Sequence, residues 1–135
     1  MRVVLKSKIH RAWVTDSNPD YIGSIVIDRT LMEKADLWEY EKVTICNVTN
    51  GERWETYVLP GDADSGEVSV QGAGARLCMR NDCLIILAYQ LTREPIDPKM
   101  VLVDRENRFV EYLCAGHHMS EREVERVERV IGGTR

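Results

Sequence analysis

Clusters of turn-forming residues cut this chain into short segments rich in β-branched and aromatic residues, and that cadence constrains the fold more than any single motif. Segment 2–14 carries Lys6, Lys8 and His10 at every second position, so on a strand all three share one face. Asp16-Ser17-Asn18-Pro19-Asp20 reads as a turn, and 22–27 as the next strand. Asp28 is placed to cap a short helix over 29–37, with Leu31, Met32 and Ala35 on its apolar side.

Segments 43–49 and 52–59 flank Asn50-Gly51, the strongest signal for a two-residue hairpin turn. A polar loop over 60–66 leads to a short strand at 68–70, and Gln71-Gly72-Ala73-Gly74-Ala75 reads as a turn of small residues. Segment 83–91 is almost continuously apolar, as expected of a strand buried on both faces. Segments 101–103 and 108–113 form a last hairpin. At the end, Ser120-Glu121-Arg122-Glu123 is a capping-box pattern, with Val124, Val127 and Ile131 in a thin apolar stripe and Gly132-Gly133 as the stop, so a surface helix is predicted there. About seven short strands with one or two short helices point to a mainly β protein, a small β-barrel.

Length agrees, since 135 residues suit one domain with a core that needs no staples. No stretch approaches the apolar length of a membrane span, and the start turns charged at Lys6, so a cytoplasmic protein is expected. A net charge of −4 argues against a nucleic-acid surface. The charge is uneven: residues 1–23 hold four basic groups (Arg2, Lys6, Lys8, Arg11) against two acidic ones (Asp16, Asp20), leaving a balance of −6 in the rest.

No phosphate-binding loop, metalloprotease motif or nucleophile elbow is present, and Gly72 and Gly74 lack the third glycine of a dinucleotide fingerprint. Cys46, Cys78, Cys83 and Cys114 form no C-x-x-C pair, so reduced thiols are expected. Cys114-x-x-His117-His118 with Cys78 and Cys83 fits no familiar zinc spacing, and a mobile tail is the better reading; no metal is expected.

Four blocks stand in order: Lys8-Ile9-His10-Arg11-Ala12, then residues 21–28 (YIGSIVID), then 47–57 (NVTNGERWETY), then Val101-Leu102-Val103-Asp104. By these blocks the chain resembles the aspartate 1-decarboxylase family, self-processing pyruvoyl enzymes of pantothenate biosynthesis. The resemblance runs from about residue 1 to 113 and implies a double-psi β-barrel domain assembled as a homotetramer, with 114–135 a tail of no assigned role.

The resemblance also implies a chemistry. The Ser24 hydroxyl attacks the Gly23 carbonyl, an ester replaces the peptide bond, and β-elimination followed by hydrolysis leaves a pyruvoyl group at position 24, so the cofactor is made from the chain itself. Glycine at 23 suits a close, strained approach. Thr56 holds the Gly23 carbonyl oxygen, and His10 also belongs to the processing residues. In the mature enzyme the pyruvoyl takes the amine of L-aspartate as a Schiff base and acts as electron sink while the α-carboxylate leaves, giving β-alanine. Arg53 offers a bidentate fork for a carboxylate and Lys8 a point charge. Tyr57 returns the proton. Gly72 and Ala73 approach the substrate or the processing bond through their backbone, Tyr21 and His10 line the pocket, and Ile85 supplies an apolar wall.

Three positions depart from the family pattern. Gln71 stands where asparagine is usual, Cys46 occupies a position often aromatic, and Gly74 replaces a usual alanine. They keep open a pyruvoyl decarboxylase of another small acidic amino acid, and a barrel that never cleaves and serves as a scaffold or binding module is the alternative of a different class. Singly, Lys8 and His10 read equally as a solvated strand face, Tyr57 as a half-buried core aromatic and Arg53 as a surface partner of Glu55. The four ordered blocks together weigh against that.

Overall fold

The alternation of apolar and polar residues becomes nine strands in the computed structural model, which describes residues 1–113 and 121–132. In chain order these are β1 (Arg2–Trp13), β2 (Asp16–Asn18), β3 (Ser24–Asp28), β4 (Lys42–Asn47), β5 (Arg53–Gly61), β6 (Val68–Gln71), β7 (Cys83–Thr92), β8 (Lys99–Val103) and β9 (Phe109–Leu113). Helix α1 (Arg29–Lys34) follows β3, a 3₁₀ turn (Gly72–Leu77) follows β6, and helix α2 (Glu121–Gly132) comes last.

The strands join edge to edge in the order β2-β6-β3-β5-β4-β7-β1-β8-β9. The pairs β1–β8, β2–β6 and β3–β5 are parallel and the others antiparallel. Chain continuity curls this order back on itself. Directly after β1, the Thr15 amide donates to the Val68 carbonyl at 2.8 Å, and β2 then runs along β6 at the far end of the order. Inward residues from seven strands therefore meet in a single core: Ile9, Ile25, Val43, Val58, Val70, Ile86 and Val101, none more than 1% exposed. Burying each such side chain contributes about 1.5–3 kcal/mol. The mainly β reading and the small barrel are borne out.

Several local expectations are corrected. Asp16–Asn18 is a short strand rather than part of a turn, because β6 offers it a free edge. The β4–β5 hairpin closes through residues 48–52, not two residues. Of Asn50 and Gly51 only Gly51 has positive φ (+81°), whereas the two-residue turn favoured by Asn-Gly needs it at both. The Asn47 side chain accepts from the Thr49 amide at 2.9 Å and the Asn50 side chain from the Glu52 amide at 2.8 Å, which stabilises the longer loop. The second strand starts at Ser24 rather than 22, and Ile22 is 87% exposed. The helix after Asp28 stops at Lys34, and the small-residue turn becomes the 3₁₀ turn.

β7 is buried on both faces only in its first half, since Tyr89 and Leu91 are exposed in the single chain. Strict alternation along β1 also breaks, because register shifts fall between Leu5 and Ser7 and between Ile9 and Ala12. Lys6 sits at the first shift and pairs with Glu41 at 2.6 Å, which separates it from Lys8 and His10. Cys114, His117 and His118 lie outside the described residues.

Candidate active site

The serine of the Gly23-Ser24 pair opens β3 and sits on the barrel's outer wall. Ile25 faces Val70 and Val58 in the core, so the intervening Ser24 points the other way, opposite Gln71 of β6. Ser24 is nevertheless buried, and its hydroxyl donates to Gln71 Oε1 at 3.2 Å. Gly72 completes the cover. Its φ is +76°, and a Cβ there would lie 2.4 Å from Gly23 Cα and 2.7 Å from Gly23 N. The tight glycine is thus 72. A Cβ at Gly23 would meet only the Gln71 carbonyl oxygen at 3.7 Å, an ordinary contact, so glycine at 23 is not required by crowding in the uncut chain. Ala73 and the Tyr21 side chain are exposed beside this cradle.

β5 brings the next residues. Thr56 stands opposite Val43 and Trp54 opposite Ile45, so both turn inward, while Arg53, Glu55 and Tyr57 turn outward. β3 runs parallel to β5 with Ile25 opposite Val58. One step back along that register, Ser24, the first residue of β3, lies beside Tyr57, with Thr56 next to it on β5. Among the described residues no hydrogen bond joins Thr56 to Gly23. The Tyr57 ring packs against Tyr40 with centroids 6.0 Å apart.

A second group lies elsewhere on the outer wall. Cys46 of β4 is opposite both Arg53 and Ile85, so Arg53, Cys46 and Ile85 form a row across three strands. Lys8 is opposite Leu87, and His10 follows next to that row on β1, both alternating with the buried Ser7 and Ile9. Arg11 occupies the second register shift at φ +65°. Burial first, then the neighbouring Lys8 and Arg11 cations, lower the His10 pKa from 6.5 to about 4, and its Nδ1 is buried without a partner. This group is a cationic, partly dehydrated surface suited to a carboxylate. Arg11 belongs to it and was not predicted as a site residue; its role depends on a bulge set by pairing with both β7 and β8, which leaves no local signal.

The structure therefore brings Gly23, Ser24, Gln71, Gly72 and Tyr57 together, and separately Lys8, His10, Cys46, Ile85 and Arg53. Counted through β5, β4 and β7, β3 and β1 are four strand-to-strand steps apart. Along β5, Arg53 and Tyr57 are about 13 Å apart. On one chain the two groups stand apart.

Gly74 explains a local departure. A Cβ there would lie 2.6 Å from Trp54 Nε1, so the indole occupies the space that an alanine methyl needs.

Such a fold and site define a small mixed β-barrel that presents a buried serine and a cationic patch on its outer wall. The chain belongs to the aspartate decarboxylase family, whose model matches residues 1–110. It is 50% identical over 114 residues to the aspartate 1-decarboxylase of Acaryochloris marina, covering 82% of this chain and 87% of the relative. The aspartate 1-decarboxylase of Caldicellulosiruptor saccharolyticus is 52% identical over 111 residues, 79% of this chain and 87% of the relative. That of Thermoanaerobacter pseudethanolicus is 45% identical, covering 79% and 95%.

Proposed function

We propose that this protein is an L-aspartate α-decarboxylase releasing CO2 and β-alanine for pantothenate biosynthesis in the cytoplasm, and that its electrophile is a pyruvoyl group made from Ser24. The observation that carries the reading is a family match over 1–110 that includes a buried Ser24 whose preceding residue lies in a cradle only glycine at 72 permits. That cradle fits self-processing, because it holds the Gly23 backbone against Gly72 while the Ser24 hydroxyl stays within one residue of it.

A pyruvoyl group supplies an electrophilic carbonyl that captures an amine and withdraws electrons from the bond to the departing carboxylate. The chain's residues do the rest. Gln71 fixes the Ser24 hydroxyl before cleavage, and Thr56 supplies a hydroxyl to the Gly23 carbonyl as charge gathers there. Arg53 grips a substrate carboxylate with two parallel N–H groups, Lys8 adds charge, and Ile85 and His10 exclude water from one side. Tyr57, beside Ser24 on β5, delivers the proton that replaces CO2. Tyr21, Gly72 and Ala73 bound the pocket at the serine.

The separation of the two halves supports a shared site: Lys8, His10, Ile85 and Arg53 of one subunit meet Ser24 and Tyr57 of another, within a homotetramer. Exposed Tyr89 and Leu91 on β7 and Trp38 and Tyr40 before β4 supply apolar surface for such assembly.

Intact mass under denaturing conditions tests the reading directly. The wild-type chain is expected as two fragments, 1–23 and 24–135, and to convert L-aspartate to β-alanine. Ser24→Ala is expected as one inert full-length chain, and decarboxylation by it would overturn the mechanism. Tyr57→Phe should cleave yet lose turnover, and Arg53→Lys should raise KM.

A further inference from the structure

Helix α2 lies beyond the segment that the family model matches, and it rests on the outer wall at the cationic half of the site. On β8, Val101 and Val103 face the core, so Leu102 between them faces outward, yet it is 0% exposed. Its cover is α2. Val127, 7% exposed, joins Trp13, Cys83 and Leu102 in a cluster separate from the barrel core, with Leu113 and Val130 packed against it. Arg126 Nε stands 2.8 Å from Glu111 Oε1 on β9.

What α2 covers are both ends of one irregular stretch of β1. Leu102 is the parallel partner of His10, and Trp13 follows Arg11 by two residues. Between them lie the second register shift and Arg11 at φ +65°, a conformation that non-glycine residues keep only when their surroundings hold it. Asn107 ties down the far end, accepting from the Trp13 amide at 2.8 Å and donating to its carbonyl at 2.8 Å. The near end, at His10, lies beside Leu102, which α2 covers, and Lys8 follows two residues earlier on the same strand. The Arg105 guanidinium, 3.6 Å from the Trp13 ring, extends the same cover.

We infer that α2 is a positioning element for the Lys8–His10 half of the site, with Val127 the residue through which it acts. This rests on the decarboxylase reading. Val127 touches no reacting atom; it holds the outer side of β1 so that Lys8 and His10 keep their direction, and an ångström of drift there weakens substrate capture. Ser24 and its cradle lie on β3 and β6, and the residues packed with α2 (Trp13, Cys83, Leu102 and Leu113) belong to other strands, so the electrophile is not involved.

The test is the full-length Val127→Asp variant, assayed on chains that mass shows to be cleaved, with hydrogen exchange over 125–130 as the measure of docking. Expected are faster exchange, a KM for L-aspartate raised about fivefold and a kcat nearly unchanged, the pattern of lost ground-state binding. Val127→Ile should restore wild-type KM. Should Val127→Asp fail to fold, Arg126→Glu, which replaces the pair to Glu111 with like-charge repulsion, is expected to move KM in the same direction. Fast exchange with unchanged KM overturns the inference, as does unchanged exchange, or a fall in kcat that tracks a lowered melting temperature. A wild-type chain that makes no β-alanine overturns the decarboxylase reading as well, so the two failures are distinct.

Discussion

Gly72 and His10 show how far single residues were legible. Gly72 stood out only as one of several small residues; that it presses on Gly23 follows from β6 pairing antiparallel with β3, which no local pattern reveals. Gly72→Ala is expected to place a methyl on the Gly23 backbone at a strained φ, costing about 1–3 kcal/mol and slowing self-cleavage, while Gly23→Ala should fold with little strain. Intact mass against time separates the two. His10 was legible as a site candidate, but its burial was not. Its folded pKa, about 4, lies below the ordinary 6.5, so between these values the unfolded chain binds a proton that the folded chain refuses. Stability is therefore full above pH 6.5 and falls as pH drops toward 4. His10→Gln is expected to flatten that part of the wild-type profile, measured as the difference in melting temperature across the window.

At the level of elements, most strands were visible because alternation between core and wall imposes period two on the sequence. Boundaries depended on partners: Asp16–Asn18 looked like a turn until β6 supplied its hydrogen bonds, and the Asn50-Gly51 signal gave way to capping by Asn47 and Asn50. Asp28 was read as an N-cap and does cap α1, its Oδ1 accepting from the Thr30 amide at 2.8 Å. It also accepts from the Asp64 amide at 3.0 Å and, through Oδ2, from the Gly66 amide at 2.9 Å, so one buried carboxylate joins α1 to the loop before β6. Asp28→Ala is expected to cost roughly 2–4 kcal/mol, since it removes the cap and strands a buried amide. A urea titration should show the lowered midpoint, with a smaller loss for Asp28→Asn.

For the whole molecule, the proposed site draws on two separate groups of residues on the wall, and a complementation experiment tests whether two subunits share it. Subunits carrying Ser24→Ala and subunits carrying Lys8→Ala are each expected to be inactive alone. Mixed by joint refolding, they should recover activity, because some interfaces then combine an intact serine half with an intact cationic half; mixtures as inactive as the parents would place the whole site on one chain. The amino-acid order by itself determined the strand cadence, the family and the cast of polar residues, since each is written in local spacing and in ordered blocks. Only the tertiary structure decided that Gly72 presses on Gly23, which face of β5 each residue takes, and that Ser24 and Lys8 stand on different strands that do not pair. Those are relations between segments distant in the chain, created by strand pairing and barrel closure, and no local periodicity encodes them.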